Sequence, residues 1–453
     1  RILAEIAKHL VIHAKSEATI KQFGGSILVF RALEQGEIDI YPEYTGTLRF
    51  EVLRGVTDIE GYLESRGLKM SRSFGFSNSY ALGMKESKAK ELNIRTISDL
   101  KKHPNLRYGF SREFRNRKDG WIRLRERYGL SDENVRSFEH VVTYEALNND
   151  NIDVMDVYTT DAKIKRYNVR VLKDDLKFFP AYDAIWLYNP SKIPPEAIKE
   201  LLRIEGKISE DEMREMNRQL SENEKSAPEV AVAFLNQKLG MNLKPVQDSV
   251  PLKMLTWALE HLLLVGVSLT LAVVVAIPLG VIAAKWRMWE QLILSLVGLL
   301  QTIPGLAMLL FFLALFGKTG ALPALAALFL YSLLPIVRNT HAGLKEIPGS
   351  LQESARALGL PPGARLWKVE LPLASRSILA GIKTAAVINV GFATLGGFIG
   401  AGGFGEPVQE GLSSLNWSLI LQGAVGSAVL ALLVQGFFEL LERYLSPSGL
   451  SQR

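Results

Sequence analysis

The chain has 453 residues, of which 48% are hydrophobic and 22% charged, and its formal net charge is +6. These averages hide two unlike parts, because residues 291–317 and 411–438 contain no Asp, Glu, Lys or Arg. Each run exceeds the ~20 apolar residues that cross a bilayer, so a purely soluble enzyme and a purely membrane-embedded protein are both excluded. Lys and Arg are concentrated at the ends of the apolar runs and form no basic cluster interleaved with aromatic residues, which argues against a nucleic-acid surface.

The sequence also lacks the usual signatures of catalysis. It contains no cysteine, so disulfides, thiolate nucleophiles and cysteine metal sites are excluded. No G-x-S-x-G pattern and no P-loop occur. His9 and His13 have the spacing of one helix face, but the residues between them do not supply the general base of H-E-x-x-H. We therefore predict no catalytic residue, no metal site and no cofactor on this chain.

The first predicted element is an amphipathic helix that begins directly after Arg1, with apolar residues at Ile2, Leu3, Ile6 and Leu10. No initiating Met and no signal-type apolar core precede it. We expect the sequence to start inside a longer protein, with an N-terminal strand of this domain missing.

Residues 1–245 alternate short apolar runs with helical patterns, which is typical of an α/β domain with parallel sheets. The predicted strands include SILVF at 26–30, EIDIY at 37–41, RYGF at 107–110 and NIDVMDVY at 151–158. No run in this part is long enough to cross a membrane. The pattern therefore predicts an extracytoplasmic soluble domain ahead of a membrane domain.

Four phrases of this domain carry a family resemblance: FGGSILVFRALEQGEIDIYPEYTGT, SNSYALGMK, NIDVMDVYTTDAKI and DDLKFFPAYDAIWLY. Together they resemble the osmoprotectant-type periplasmic binding proteins, the glycine betaine, choline and carnitine group associated with ABC importers. The resemblance covers most of residues 1–240 and implies two α/β lobes that close on a ligand. Lobe one is expected over 1–80 and 188–240 and lobe two over 81–185, with hinges near Ala81–Met84 and Ala184–Leu187.

A quaternary ammonium has no hydrogen-bond donor, so aromatic faces bind it by cation–π attraction, each worth roughly 0.5–2 kcal/mol. By similarity to the family's aromatic cage, the resemblance implies a ligand site lined by Tyr44, Tyr80, Tyr158 and Tyr182. Thr47 and Arg117 match the family positions that contact the polar end of the ligand, with Arg112 as an alternative. A bidentate Arg suits a carboxylate. For any one tyrosine, core packing is the competing interpretation.

A linker at 246–260 leads into a predicted permease domain over 261–445. About five apolar spans are expected, at 261–284, 291–317, 319–337, 377–400 and 413–438. The loop after the first span and the long loop at 338–376 are the basic ones, so the positive-inside rule places both in the cytoplasm. We therefore predict that residues 1–245 lie outside the cell and that the C-terminus lies inside.

The run GGFIGAGGFG at 396–405 is unusually rich in glycine for a membrane span. A lipid-facing helix gains nothing from so many small residues, whereas kinked backbone is tolerated where protein buries it. Ordinary helix packing is the competing interpretation for any single glycine. Their density predicts a broken helix that lines a pathway.

The basic loop contains a short predicted helix from Ser350 to Leu358, which ends at Gly359 ahead of two prolines. The series Glu353-Ser354-Ala355, three residues, Gly359, nine residues, Val369-Glu370-Leu371-Pro372 resembles the EAA loop of ABC importer permeases. Ser354 and Val369 depart from that pattern. In the family this segment is the coupling helix that receives the ATPase stroke, so the resemblance assigns ATPase coupling to Glu353, Ser354, Ala355, Gly359, Leu371 and Pro372.

The two resemblances together identify the chain as a member of the ABC importers for quaternary-ammonium osmolytes, with the binding protein fused to its permease. They imply a two-lobed periplasmic-binding-protein fold followed by an all-α polytopic membrane domain in the cell membrane. ATP and Mg would be held by a separate cytoplasmic ATPase, because no Walker motif occurs here. Five spans make half a translocation path, so a homodimer is expected. Ergothioneine or another trimethylammonium betaine is an alternative ligand, and a membrane-anchored ligand sensor is an alternative function.

Overall fold

The structure is a computed structural model that describes residues 1–117, 120–138, 140–221, 225–246, 249–414 and 416–445. The chain divides into two compact units, which are described separately. The first unit comprises Arg1–Ile20 and Ile38–Gln247, and the second comprises Lys21–Glu37 and Asp248–Arg453. Sequence analysis placed residues 21–37 in the soluble domain, whereas in the structure they pack with the helical unit.

The chain up to Leu239 mixes helices and strands. The helices are α1 Ile2–His13, α2 Ser26–Glu34, α3 Thr45–Thr47, α4 Ile59–Ser65, α5 Glu86–Glu91, α6 Arg112–Asn116, α7 Trp121–Tyr128, α8 His140–Asn148, α9 Lys163–Arg166, α10 Pro195–Leu201, α11 Glu210–Ser221 and α12 Ala227–Leu239. The strands are β1 Ile40–Tyr44, β2 Lys69–Met70, β3 Tyr80–Lys85, β4 Tyr108–Ser111, β5 Val135–Phe138, β6 Val154–Tyr158, β7 Val169–Val171 and β8 Ala184–Tyr188.

The smaller sheet of the first unit is antiparallel, in the order β1-β8-β2. Helices α1, α10, α11 and α12 supply side chains to the core beneath it, in which Ile6, Leu10 and Trp186 are fully buried. The indole N–H of Trp186 donates to the Leu201 carbonyl at 3.0 Å, so its one polar atom is satisfied inside the core. The predicted N-terminal helix is confirmed as α1, with its apolar face on this core.

The larger sheet has five strands in the order β5-β4-β6-β3-β7 and carries an apolar core on each face. Strand β4 pairs in parallel with β5 and β6, whereas β3 is antiparallel to both β6 and β7. The expectation of parallel sheets was therefore wrong for most strand pairs. Two separate sheets, each with its own helices and core, make the two-lobed binding-protein fold.

One local prediction in this half was wrong. SILVF at 26–30 is not a strand but the first part of α2, which buries Phe30 and Leu33 on one face. A short apolar run without strict alternation does not distinguish a strand from a helix. The ranges near which hinges are predicted, Ala81–Met84 and Ala184–Leu187, belong to strands β3 and β8, next to the two connections between the sheets at residues 71–79 and 172–183. The position of the hinges stays a prediction.

From Val250 onward the described chain is helical. Its helices are α13 Val250–Lys285, α14 Arg287–Thr302, α15 Gly305–Phe316, α16 Ala321–Lys345, α17 Gly349–Ala357, α18 Pro362–Arg365, α19 Leu371–Ala393, α20 Gly405–Ser414 and α21 Trp417–Leu445. Four helical stretches are long and apolar enough to cross a membrane, around α13, α16, α19 and α21, and the bent pair α14–α15 makes a fifth if it counts as one span.

The span predicted at 291–317 is therefore not one straight helix. Helices α14 and α15 meet at an angle of 97°, and the break falls at Ile303 and Pro304. Proline disfavours helical backbone at the residue before it and has no N–H to continue the ladder. The Tyr331 hydroxyl donates to the Ile303 carbonyl, so a neighbouring helix satisfies backbone that the break exposes.

The centre of the helical unit contains a polar junction. The Asn389 amide nitrogen donates to Ser332 Oγ at 2.7 Å and to Ser268 Oγ at 3.2 Å, and all three side chains are fully buried. They belong to α19, α16 and α13. Hydrogen bonds between helices of this kind contribute about 0.6–2 kcal/mol in a membrane, and they fix the register of the three helices.

Close contact between α16 and α19 depends on a glycine. A Cβ on Gly381 would lie 2.7 Å from the Pro335 carbonyl oxygen and 2.7 Å from Asn339 Cβ. Gly391, further along α19, has no atom of another element within 4 Å of that position. The two positions therefore make a matched test of the packing.

We predict that Gly381→Val lowers the melting temperature of the purified chain in detergent, because overpacking costs about 1–3 kcal/mol. Gly391→Val introduces the same side chain on the same helix and should melt within a few degrees of wild type. Equal melting of the two variants would contradict the close crossing of α16 and α19.

Candidate functional site

Tyr80 and Tyr158 form a directly facing pair in the larger sheet. They are register partners at the start of β3 and the end of β6. Their hydroxyl oxygens are 2.9 Å apart and their ring centroids 4.7 Å apart. Phe114 packs on Tyr80 at a centroid distance of 5.2 Å. The antiparallel pairing thus joins two of the four tyrosines named from the sequence, and Phe114 extends the aromatic surface.

Tyr182 precedes β8 and meets the segment that follows β1. Thr45 and Asp183 exchange backbone and side-chain hydrogen bonds at 3.0 Å. A Cβ on Gly46 would lie 2.4 Å from the Tyr182 ring, so the absence of a side chain at Gly46 lets the ring pack flat against the backbone. Thr47 is half-buried one residue further along the same turn.

Arg117 connects these groups. Its guanidinium lies 5.5 Å from the centre of the Tyr80 ring, and its Nη2 donates to the Tyr182 hydroxyl at 3.3 Å. It also forms long ion pairs with Glu51 at 3.5 Å and Glu113 at 3.4 Å. Arg112, the alternative from the sequence, is exposed at the start of α6. The structure therefore places Arg117 with the tyrosines.

Tyr44 lies at the end of β1, half-buried against the core of the smaller sheet. The Asn78 side chain hydrogen-bonds it, and Asn78 belongs to the connection between the sheets. The neighbouring Glu43 is buried, accepting from the Tyr44 N–H at 2.8 Å and from the Tyr41 hydroxyl at 3.1 Å. A buried carboxylate beside the expected cation site was missed by the sequence analysis, although an acidic residue between two tyrosines was visible there.

Burial determines the ionisation of these groups. It raises the pKa of Tyr44 and of Tyr158 to about 12 each, and raises that of Tyr80 further, with the neighbouring Tyr158 as a second cause. These tyrosines are therefore neutral at physiological pH and offer ring faces and hydroxyl donors. Burial also raises the pKa of Glu43 to about 7, against the opposing hydrogen bonds from Tyr44 and Tyr41.

This arrangement combines two chemistries. Neutral aromatic faces attract a cation that has no hydrogen-bond donors, and the guanidinium of Arg117 can bind a carboxylate with two parallel hydrogen bonds. Arg117 contacts Glu51, Glu113 and Tyr182 at 3.3–3.5 Å, which is longer than a typical charge-assisted hydrogen bond.

A second candidate site is the loop expected to contact an ATPase. The predicted helix is confirmed as α17, and Gly359 ends it with φ +74°, a backbone conformation that favours glycine. Glu353 and Ser354 are exposed, whereas Ala355 is buried. Leu358 and Trp367 are 80% and 73% exposed. This loop therefore exposes two large apolar side chains beside a polar helix.

The end of this loop is held by an ion-pair cluster that the sequence analysis did not identify. Glu370 is almost fully buried and pairs with Lys285, at the end of α13, and with Arg365 at 3.2 Å. Leu371 and Pro372 then begin α19. The cluster therefore joins the loop to two membrane helices. The spacing of the EAA-type residues could not indicate this cluster, because Lys285 lies 85 residues before Glu370 in the sequence.

Comparisons with known proteins match both halves of the chain. A family described as the substrate binding domain of an ABC-type glycine betaine transport system matches residues 1–237. A second, described as a binding-protein-dependent transport system inner membrane component, matches residues 276–447.

Individual relatives agree with the second match. The choline transport system permease protein OpuBB of Bacillus subtilis (strain 168) is 39% identical over 193 residues, which are 43% of this chain and 88% of that protein. The osmoprotectant import permease protein OsmW of Salmonella typhimurium (strain LT2) is 37% identical over 195 residues, 42% of this chain and 91% of that protein. A crystal structure of a glycine betaine/carnitine/choline ABC transporter covers 52% of this chain and 93% of its own at 29% identity, with a TM-score of 0.47.

The buried Glu43 carboxyl gives a pH-dependence. Between about pH 4.5 and 7 the unfolded carboxyl ionises while the folded one keeps its proton, so stability falls as pH rises across this window. The increase in the pKa of Glu43 from 4.5 to about 7 corresponds to a loss of at most about 3 kcal/mol in the free energy of unfolding. We predict that Glu43→Gln raises the melting temperature relative to wild type at pH 8 and leaves it nearly unchanged at pH 4.5.

The matched control is Glu17→Gln, which alters an exposed carboxylate of the same unit. Its difference from wild type should be small and the same at both pH values. A Glu43→Gln difference that does not grow between pH 4.5 and pH 8 would overturn the assignment.

Proposed function

The chain belongs to the family of substrate-binding domains of ABC-type glycine betaine transport systems and carries the transport permease component on the same polypeptide, as a non-enzymatic subunit of a multi-pass membrane transporter. We propose that it captures and imports a quaternary-ammonium osmolyte of the betaine class. The observation that carries this proposal is the position of Arg117 between Tyr80 and Tyr182. Relatives that are named for choline or osmoprotectant transport support the ligand class.

The proposed ligand matches the site at both ends. A betaine is a zwitterion, with a trimethylammonium group at one end and a carboxylate at the other. In this proposal Tyr44, Tyr80, Tyr158 and Tyr182 contact the ammonium group, and Arg117 and Thr47 contact the carboxylate. Burying the ammonium against neutral rings avoids the large desolvation cost of an unpaired buried charge.

Transport would also need a partner. We propose that a cytoplasmic ABC ATPase binds α17 and the exposed Leu358 and Trp367, and that the Glu370 cluster passes its movement to α13 and α19. This requires the loop at 338–376 inside the cell and the ligand site outside, as the positive-inside rule predicts. About five spans supply half a path, so two copies of the chain would form the transporter.

We predict that the purified chain in detergent binds at least one of glycine betaine, choline, carnitine, proline betaine and ergothioneine in calorimetric titration. Tyr158→Ala should weaken binding about tenfold, because one desolvated cation–π contact is worth up to about 2 kcal/mol. Tyr158→Phe keeps the ring and loses only the hydroxyl, so it should bind within about threefold of wild type. Failure of the folded chain to bind any of the five would overturn the proposed function.

A second prediction separates the two ends of the ligand. Arg117→Ala should weaken glycine betaine at least tenfold and choline much less, because choline has no carboxylate and loses no charge-assisted hydrogen bond. The measurement is titration of both ligands against the same preparation. An equal loss for both ligands would show that Arg117 acts by holding the tyrosines instead.

We also predict that Leu358→Asp abolishes co-purification of the co-expressed ATPase while ligand binding stays unchanged. Burying a new carboxylate in an apolar contact is costly. Leu176→Asp changes an exposed leucine of the first unit and should retain the ATPase. Co-purification of the ATPase with the Leu358→Asp variant would contradict the proposed surface. In a separate measurement, the native mass of the wild-type complex should correspond to two copies of this chain and two copies of the ATPase.

A further inference from the structure

Residues Lys21–Glu37, between α1 and β1, form what we call the clamp segment. The sequence match to the binding-protein family spans these residues, yet they pack with the helical unit. Leu28 of α2 contacts the core formed by α13, α15, α16 and the glycine-rich run. The segment is therefore part of the membrane half by structure and part of the binding half by sequence.

The N-terminal end of the clamp segment binds the glycine-rich run. The Gly24 N–H donates to the Phe398 carbonyl at 2.9 Å. The buried Gln409 side chain donates to the Phe23 carbonyl at 3.1 Å. A Cβ on Gly400 would lie 2.4 Å from the Phe23 ring, so the glycine leaves the space that this buried ring occupies.

The C-terminal end binds the loop between α15 and α16. The Thr319 hydroxyl donates to the Glu37 carboxylate at 2.6 Å, and the Thr319 N–H donates to the Gln35 side-chain oxygen at 3.1 Å. The Gln35 amide nitrogen donates to the Gly317 carbonyl. Thr319 is buried in this contact. Both ends of the segment therefore hold loops of the helical unit.

These two loops are also joined to each other and to α13. The Gly320 N–H donates to the Ile399 carbonyl at 2.7 Å. On its other side the glycine-rich run donates from Gly403 N–H to Glu260 at 2.8 Å and from Phe404 N–H to His261 at 3.2 Å. The run thus lies between the clamp segment and the first membrane helix.

We propose that the clamp segment is a permanent internal docking element that sets the position of the glycine-rich run, and that it links the ligand site to the transport path. The link is covalent: β1 begins three residues after Glu37 and ends in Glu43 and Tyr44. A ligand bound at Tyr44 is therefore connected through β1 and Glu37 to Thr319 and the run. The segment stays in place throughout, because release would expose Phe23 and break buried hydrogen bonds at both ends. This inference rests on the proposed function for its ligand.

The first test asks whether the segment is bound where described. The chain has no cysteine, so introduced thiols are unambiguous. The Gly24 N–H is hydrogen-bonded to the Phe398 carbonyl at 2.9 Å, so the two backbones are adjacent. The pair Gly24→Cys and Phe398→Cys should therefore form an intrachain disulfide in membranes, detected by mass spectrometry of proteolytic fragments. The control pair Ile27→Cys and Phe398→Cys uses an exposed position of α2 and should not. No excess of disulfide in the first pair over the control would overturn the proposal.

The second test separates docking from ligand capture. Glu37→Ala should lower betaine uptake at least tenfold in vesicles that contain the transporter and its ATPase, with the ligand Kd within twofold of wild type. Glu37→Gln keeps an acceptor for the Thr319 hydroxyl and should restore most uptake. The disulfide of the first test should preserve uptake, since the segment does not leave its place. Wild-type uptake by Glu37→Ala, or loss of uptake on forming the disulfide, would contradict the proposal.

A melting curve of Glu37→Ala establishes that the variant is folded. Gln35→Ala removes the other contacts of the segment, to Thr319 and Gly317, and should likewise lower uptake with an unchanged ligand Kd. If wild type binds none of the betaines, the proposed function fails, but the cross-linking result still reports on the clamp segment.

Discussion

The position of the Arg117 guanidinium is the constraint on which the candidate ligand site depends. It follows α6 on the larger sheet, lies over the Tyr80 ring of that sheet, and donates to Tyr182 beside the smaller sheet. One side chain therefore joins groups from both sheets of the first unit. Its contacts with Tyr182, Glu51 and Glu113 are 3.3–3.5 Å long, and the rings are fixed by strand pairing and by core neighbours such as Phe114. The candidate site thus combines fixed aromatic faces with one guanidinium, the two chemistries that the proposed zwitterion needs.

The sequence predicted the site through its strand phrases but could not give its electrostatics. Tyr80 and Tyr158 were named from separate phrases, and antiparallel pairing makes them direct neighbours with ring centroids 4.7 Å apart. Glu43 was not named, because the effect of a carboxylate on a site depends on its burial, which a sequence without a fold does not show. Arg117 and Arg112 could not be distinguished by sequence, since only four residues of a charged segment lie between the exposed Arg112 and the half-buried Arg117.

The same limit applies to the fold. Long apolar runs predicted the membrane helices well, because about 20 residues without charge have few other stable environments. The run at 291–317 met this criterion and still bends by 97°, since a length criterion does not register a single Ile-Pro step. SILVF was assigned as a strand because five apolar residues fit either element, and the later Leu33 completes a helical face. In both cases a feature close in sequence, the Ile-Pro step or Leu33, decided the outcome.

Ten residues, 240–249, separate the last helix of the first unit from the first membrane helix. Because both domains are parts of one polypeptide, each permease domain carries its own binding domain. A free binding protein must find its transporter by diffusion and competes with other ligand-loaded and empty copies. Here the ratio is one to one at any expression level, and empty domains cannot accumulate as competitors. The rate of uptake at low ligand concentration would then be limited by ligand encounter with the domain rather than by the search for a permease.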